Sequence, residues 1–103
     1  QLVVTYCGGY NMYAWLVLLR KSVEDSSYTI SQHAFQRMGE RGITIDDIRR
    51  CALEGDFLKT QDHGEDLKVV LRGYDENQQP FLMVAALCWP TPAIITVMRE
   101  DEG

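Results

Sequence analysis

Apolar residues recur along this chain at two different spacings, and the change near residue 55 divides it into a helical part and a sheet part. Met12, Trp15, Leu16 and Leu19 follow one another at helical intervals up to Arg20-Lys21, which predicts a helix over residues 11–21. Tyr13 and Val17 widen its apolar face, so this helix is either deeply packed or covered by a partner, such as a second copy of the chain. Ahead of it, Leu2 to Tyr6 is β-prone and Gly8-Gly9 breaks the run. Behind it, Ser22 to Ser27 reads as a polar link.

Two further helices follow. Ser31 can cap one that runs to about Arg41, and Gly42 can end it by adopting a left-handed conformation. Thr44-Ile-Asp-Asp places an N-cap and first-turn carboxylates ahead of Ile45, Ile48 and Ala52, which recur on one face until Gly55. Two short helices joined by a Gly turn predict an αα-hairpin. A DNA-reading helix-turn-helix is disfavoured, because its second helix would carry Asp46, Asp47 and Glu54 toward phosphates.

Beyond Gly55 the pattern is that of strands. Phe57 to Gln61 is a short strand, Leu67, Val69 and Leu71 alternate with Lys68 and Arg72, and Asp75 to Gln79 is a turn cluster. Phe81 to Trp89 is apolar on both faces and is expected to be a central strand. Trp89-Pro-Thr-Pro is a tight connection, after which Ile94 to Arg99 returns as the last strand. The expected fold class is α+β: a helical hairpin, with an extra N-terminal helix, packed on a sheet of about three or four antiparallel strands.

Composition narrows the function classes. At 103 residues and 46% hydrophobic the chain can build one core. A formal net charge of −5 and a pI near 4.8 oppose a protein that coats nucleic acid through bulk electrostatics, so any such contact must be local. Carboxylates cluster at Asp46-Asp47, Asp62 to Asp66, Asp75-Glu76 and Glu100 to Glu102, which leaves room for a basic patch on an acidic body. Cys7, Cys51 and Cys88 are odd in number and widely spaced, which suits three small buried hydrophobes in a reducing cytoplasm rather than a disulfide framework. His33 and His63 lack companions for a metal site, and no metal or cofactor is expected. The apolar run Ala14 to Leu19 is far shorter than the ~20 residues of a membrane span and follows no basic segment.

The candidate chemistry lies on the second helix. At about 100° per residue, His33, Arg37 and Arg41 fall within an arc of roughly 80°, bordering the stripe that holds Ala34 and Met38. An imidazole that titrates near neutral pH beside two permanent cations is what a phosphodiester site needs. The competing assignment is structural, with Arg37 or Arg41 pairing with Glu40, Asp46 or Asp47 to fasten the helices. Trp15 and Trp89 read first as core or partner contacts.

The run His33-Ala-x-x-Arg37-Met-x-x-Arg41-Gly-Ile-Thr, an Ile-containing helix ending in Glu54-Gly55, hairpin strands and a final Ile95-Thr-Val together resemble a bacterial domain-of-unknown-function family, the one numbered four-two-five-eight. The resemblance covers about residues 28–100, which suggests an N-terminal extension over 1–27 and an α+β domain over 28–103. In layout that family is similar to the barnase, colicin and RelE-like superfamily of metal-independent ribonucleases and toxins, and the family's own members are often encoded beside small antitoxin-like proteins.

The resemblance implies a site in which His33 acts as base or acid and Arg37 and Arg41 clamp the phosphate. Arg72, Arg99 and Thr96 complete the cradle if their side chains face the helix, each being one parity step from pointing away. His63, in a polar turn, is a weaker second acid–base candidate. The implied partners are an antitoxin protein and RNA held by the local basic patch. RelE-like toxins are generally basic, so the acidic pI argues against ribosome-dependent action. The alternative function is a non-catalytic module that binds another protein or itself. An enzyme should set His33 in a concave site where at least two arginines converge, whereas a module should bury His33 or splay the arginines.

Overall fold

The computed structural model describes residues 12–62, 67–87 and 91–102. The helical spacing at the start resolves into α1, Met12–Glu24, three residues longer at its C-terminal end than the apolar pattern predicts because Ser22, Val23 and Glu24 continue the helix. Val23 explains the extension: it and Leu19 are fully buried in the core, so the helix continues until its second anchor is covered. The β-prone segment at residues 2–6, together with Cys7, His63, Cys88 and Trp89, lies outside the described residues.

Local capping chemistry sets the next two helices. Ser31 accepts from the Ala34 N–H at 3.0 Å and starts α2, Gln32–Arg41. Gly42 ends it at φ 70°, donating its N–H to the Met38 carbonyl, a conformation that favours glycine. Thr44 and Asp47 form a reciprocal capping box at the start of α3, Ile45–Glu54, with bonds of 3.1 and 3.0 Å. Asp47 is buried yet satisfied, since Arg50 pairs with its second oxygen.

The sheet corrects the expectation of three or four antiparallel strands: it has five and is mixed, in the order β1-β5-β4-β3-β2. The strands are β1, Thr29–Ile30; β2, Asp56–Asp62; β3, Leu67–Tyr74; β4, Pro80–Ala86; and β5, Ala93–Arg99. β1 lies parallel to β5, with the Thr29 N–H on the Pro92 carbonyl at 3.0 Å and the Ser31 N–H on the Ile94 carbonyl at 2.9 Å. Two residues carry no periodicity, so only the long-range pairing reveals this strand. The expected hairpin is corrected as well. α2 and α3 are joined by Gly42-Ile43-Thr44, but α2 packs chiefly on β5 and α3 on β3, so each turns its apolar face to the sheet. α1 packs on α3.

The register sorts the strand residues by face. Leu71 pairs with Met83 and Met83 with Val97; Phe81 pairs with Arg99. These rows therefore face the helices, where Leu71, Met83, Val97 and Phe81 join Ile48, Met38 and Leu19 in one core. Each fully buried large side chain there contributes roughly 1.5–3 kcal/mol of transfer free energy. The alternate rows, Arg72 with Leu82 and Val84 with Thr96, face away. As expected of a central strand, β4 is buried on both faces, through Met83 and Ala85 on one and Val84 and Ala86 on the other. A register shift at the Val84/Ala85 pairing inserts Ile95 as an extra residue in β5.

Candidate active site

Helix α2 is pinned to β5 at both ends, and the candidate residues lie between the pins. At the N-terminal end the Ser31 hydroxyl, besides capping the helix, donates to the Ile95 carbonyl at 2.9 Å. At the C-terminal end Arg99 Nη2 donates to the Arg41 carbonyl at 2.7 Å. The carbonyls of a last helical turn have no partner within the helix and attract cations. Arg99 meets both needs.

Between these attachments Ala34 and Met38 face the sheet, buried. Their preceding neighbours, His33 and Arg37, are consequently turned to the border of helix and strand, with Arg41 one turn on. β1 covers β5 only at Ala93 and Ile94, so from Thr96 onward no strand among the described residues flanks β5 on that side. The result is an open cleft of about 420 Å³ lined by His33, Arg37 and Arg41 from α2 and by Thr96, Val97 and Met98 from β5. His33 is exposed and Arg37 is more open than Arg41, while Thr96, whose row faces away from the helices, borders the cleft at the open margin of the sheet and donates its hydroxyl hydrogen to the Val97 carbonyl at 3.4 Å.

The arginines are held by a local carboxylate. Glu40 Oε1 stands 2.8 Å from Arg41 and 3.9 Å from Arg37, and Oε2 accepts from Gln36 at 3.1 Å. These exposed pairs are weak and screened by salt. They orient both guanidiniums while leaving them able to exchange Glu40 for a stronger anion.

Of the six residues singled out in the sequence, four thus line the cleft: His33, Arg37, Arg41 and Thr96. Arg72 does not. It lies on the face away from the helices, hydrogen-bonded to Glu100 at 3.0 Å and 3.6 Å from Asp56. Arg99 does lie on the helix face, but behind the cleft, with Nη1 at 2.9 Å from Asp75 Oδ2. Asp75 is buried; it accepts from the Gln79 and Asn77 N–H groups at 2.9 and 2.8 Å, and these bonds, with Arg99, hold its pKa below the usual carboxylate value. The double role of Ser31 and the Asp75–Arg99 support escaped the sequence reading. The turn cluster at Asp75 was its only signal.

A second depression of about 230 Å³ lies between α3 and β3, lined by Arg50, Cys51, Glu54, Gly55, Gly73, Tyr74 and Gln78. Burial pushes the Cys51 thiol up to about 12, so it is no nucleophile. Among the described residues no group of three or more His, Cys, Asp or Glu is placed to hold a metal ion, and no helix is long and apolar enough to cross a membrane.

Compared with known proteins, residues 30–99 match a family model described as a domain of unknown function (DUF4258). No curated protein and no solved structure matches significantly.

Proposed function

The chain belongs to the DUF4258 family of domains of unknown function, and from that premise we propose that it is a metal-independent endoribonuclease, the toxin half of a toxin–antitoxin pair acting in the cytoplasm. The observation that carries this reading is the convergence of one exposed imidazole and two guanidiniums on a single open cleft whose opposite wall is strand β5. That is the donor set that transesterification of RNA requires.

In this scheme His33 accepts the ribose 2′-hydroxyl proton as the 2′-oxygen attacks phosphorus. The bond from phosphorus to the 5′-oxygen breaks, and the proton is returned to that departing oxygen. The products are a 2′,3′-cyclic phosphate and a free 5′-hydroxyl. Arg37 and Arg41 bind the charge that grows on the phosphorane. With a net charge of −5 the body repels RNA, so binding rests on this patch alone.

The test is cleavage of an RNA oligonucleotide by the purified chain in the presence of a chelator, beside the His33→Ala variant. Wild type should release a cyclic phosphate end and arrest growth when expressed; His33→Ala should do neither while melting at the same temperature, because His33 is exposed. If both chains are inert on RNA and harmless in cells, the reading falls to an interaction module. Exposed Val17 and Leu18 on α1 favour that alternative.

A further inference from the structure

We propose that Arg99 is a positioning residue for Arg41, holding the last turn of α2 so that the Arg41 guanidinium stays in the cleft. This rests on reading the cleft as an anion site. Three observations carry it. Arg99 bridges two elements, with Nη2 donating to the Arg41 carbonyl at 2.7 Å and Nη1 in an ion pair with Asp75 at 2.9 Å. Its second anchor is rigid, because Asp75 is buried in the β3–β4 turn and tied by two backbone N–H groups. And the helix it grips ends at once, at Gly42 with φ 70°, so the last turn has no further helical residues to steady it.

Arg41 is also the less exposed of the two cleft arginines, which means that its side chain follows its backbone closely. A shift of the turn by a fraction of an ångström is therefore passed to the guanidinium, whereas Arg37, one turn earlier, is steadied by the buried Ala34 and Met38 on either side. Lysine in place of Arg99 could keep the charge beside Asp75, but a single ammonium lacks the fork that spans both partners. Arg99→Lys thus separates the gripping role from the charge.

The experiment uses the full chain, isotopically labelled, as wild type, Arg99→Lys, Arg41→Ala and the double variant. Inorganic phosphate serves as the anion. Arg99→Lys should stay folded, with a melting temperature within a few degrees of wild type, yet bind phosphate about tenfold more weakly, the loss of one well-placed charge-assisted contact. Arg41→Ala should lose a similar factor, and the double variant no more than either alone, since both act through one guanidinium. Losses that multiply would mean that Arg99 touches the ligand itself, and unchanged binding in Arg99→Lys would overturn the proposal.

A second readout needs neither phosphate binding nor RNA cleavage. In Arg99→Lys the Arg41 Nε–H resonance should broaden and the amides of residues 39–43 should exchange faster, with those of residues 33–37 unaffected. If the Arg41 signal and these amides are unchanged, Arg99 does not position the turn, whatever the cleft does. If they change while wild type neither binds phosphate nor cuts RNA, the proposed function fails and the support of Arg41 stands as structure alone. Should Arg99→Lys not fold, Asp75→Asn replaces it, because it keeps an oxygen for the turn while weakening the grip on Arg99.

Discussion

Arg99 and Asp75 meet at 2.9 Å, the one at the end of the last strand and the other in the turn between β3 and β4. Asp75→Asn keeps an acceptor for that turn but removes the charge opposite Arg99. It is expected to destabilise the fold by about 1–3 kcal/mol, lowering the melting temperature by roughly 5–15 °C. Folding lowers the Asp75 pKa below its ordinary 3.8, so its contribution is full above that value and is lost as pH falls through the folded value. Melting curves of wild type and Asp75→Asn should therefore differ at neutral pH and converge in acid. A gap that stays undiminished at about pH 2 would show that the carboxylate charge is not what stabilises this turn.

Glu40 competes with any anion for the cleft arginines. Glu40→Gln should raise affinity for phosphate or a short RNA by about two- to fivefold, the scale of an exposed ion pair. With two arginines contacting a single strand, the logarithm of affinity should fall with the logarithm of salt at a slope of about −1 to −2. Titration at several salt concentrations reads both quantities. Weaker binding in Glu40→Gln would mean that Glu40 orders the arginines more than it blocks them.

Gly73 lets α3 lie directly on β3. A Cβ there would stand 2.7 Å from Cys51 Cβ and 2.8 Å from its Sγ. Gly73→Ala should cost about 1–3 kcal/mol by overpacking. Cys51→Ala should relieve only part of this in the double variant, because the Cβ contact survives. Denaturant melts of the two single variants and the double one give the answer; full relief would place the clash at the sulfur alone.

The Cys51 thiol, buried and raised to about 12, should resist thiol reagents in the native state. In a Cys7→Ser, Cys88→Ser background, labelling at pH 8 should be slow and should accelerate to the rate of a free thiol only in denaturant. Rapid native labelling would show that the depression beside α3 opens to the sulfur.

Arg20 and Arg49 exchange contacts between α1 and α3: Arg20 donates to the Ala52 and Gly55 carbonyls at 3.0 and 3.4 Å, and Arg49 to the Val23 carbonyl at 2.7 Å. Replacing either by Met should cost about 1–2 kcal/mol and speed amide exchange through α1. Exchange confined to α3 would show that Leu19 and Val23 alone hold α1 in place.

How far the site could be read from residues alone depended on range. Gly42, Thr44 and the capping bond of Ser31 act within three or four residues of themselves, so the bounds of α2 and α3 are written in adjacent chemistry. The shared face of His33, Arg37 and Arg41 follows from helical geometry for the same reason. Arg72 and Thr96 depended on strand parity, which the inserted Ile95 alters in β5; both fall on the face away from the helices, and Thr96 borders the cleft only because β5 is uncovered there. β1 was invisible because two residues have no period.

By itself the sequence determined the local elements: where helices begin and end, which of their faces are apolar, that strands follow residue 55, and that one helix carries an imidazole followed at four-residue intervals by two arginines. Those properties depend on interactions along the chain, with fixed spacing. Only the tertiary structure decided that α2 lies along β5 rather than against α3, that Thr96 borders the cleft while Arg72 pairs with Glu100, and that Arg99 stands behind Arg41 with Asp75. These are contacts between residues up to 58 or more positions apart. Register, strand order and a single inserted residue set them, and no local preference encodes any of the three.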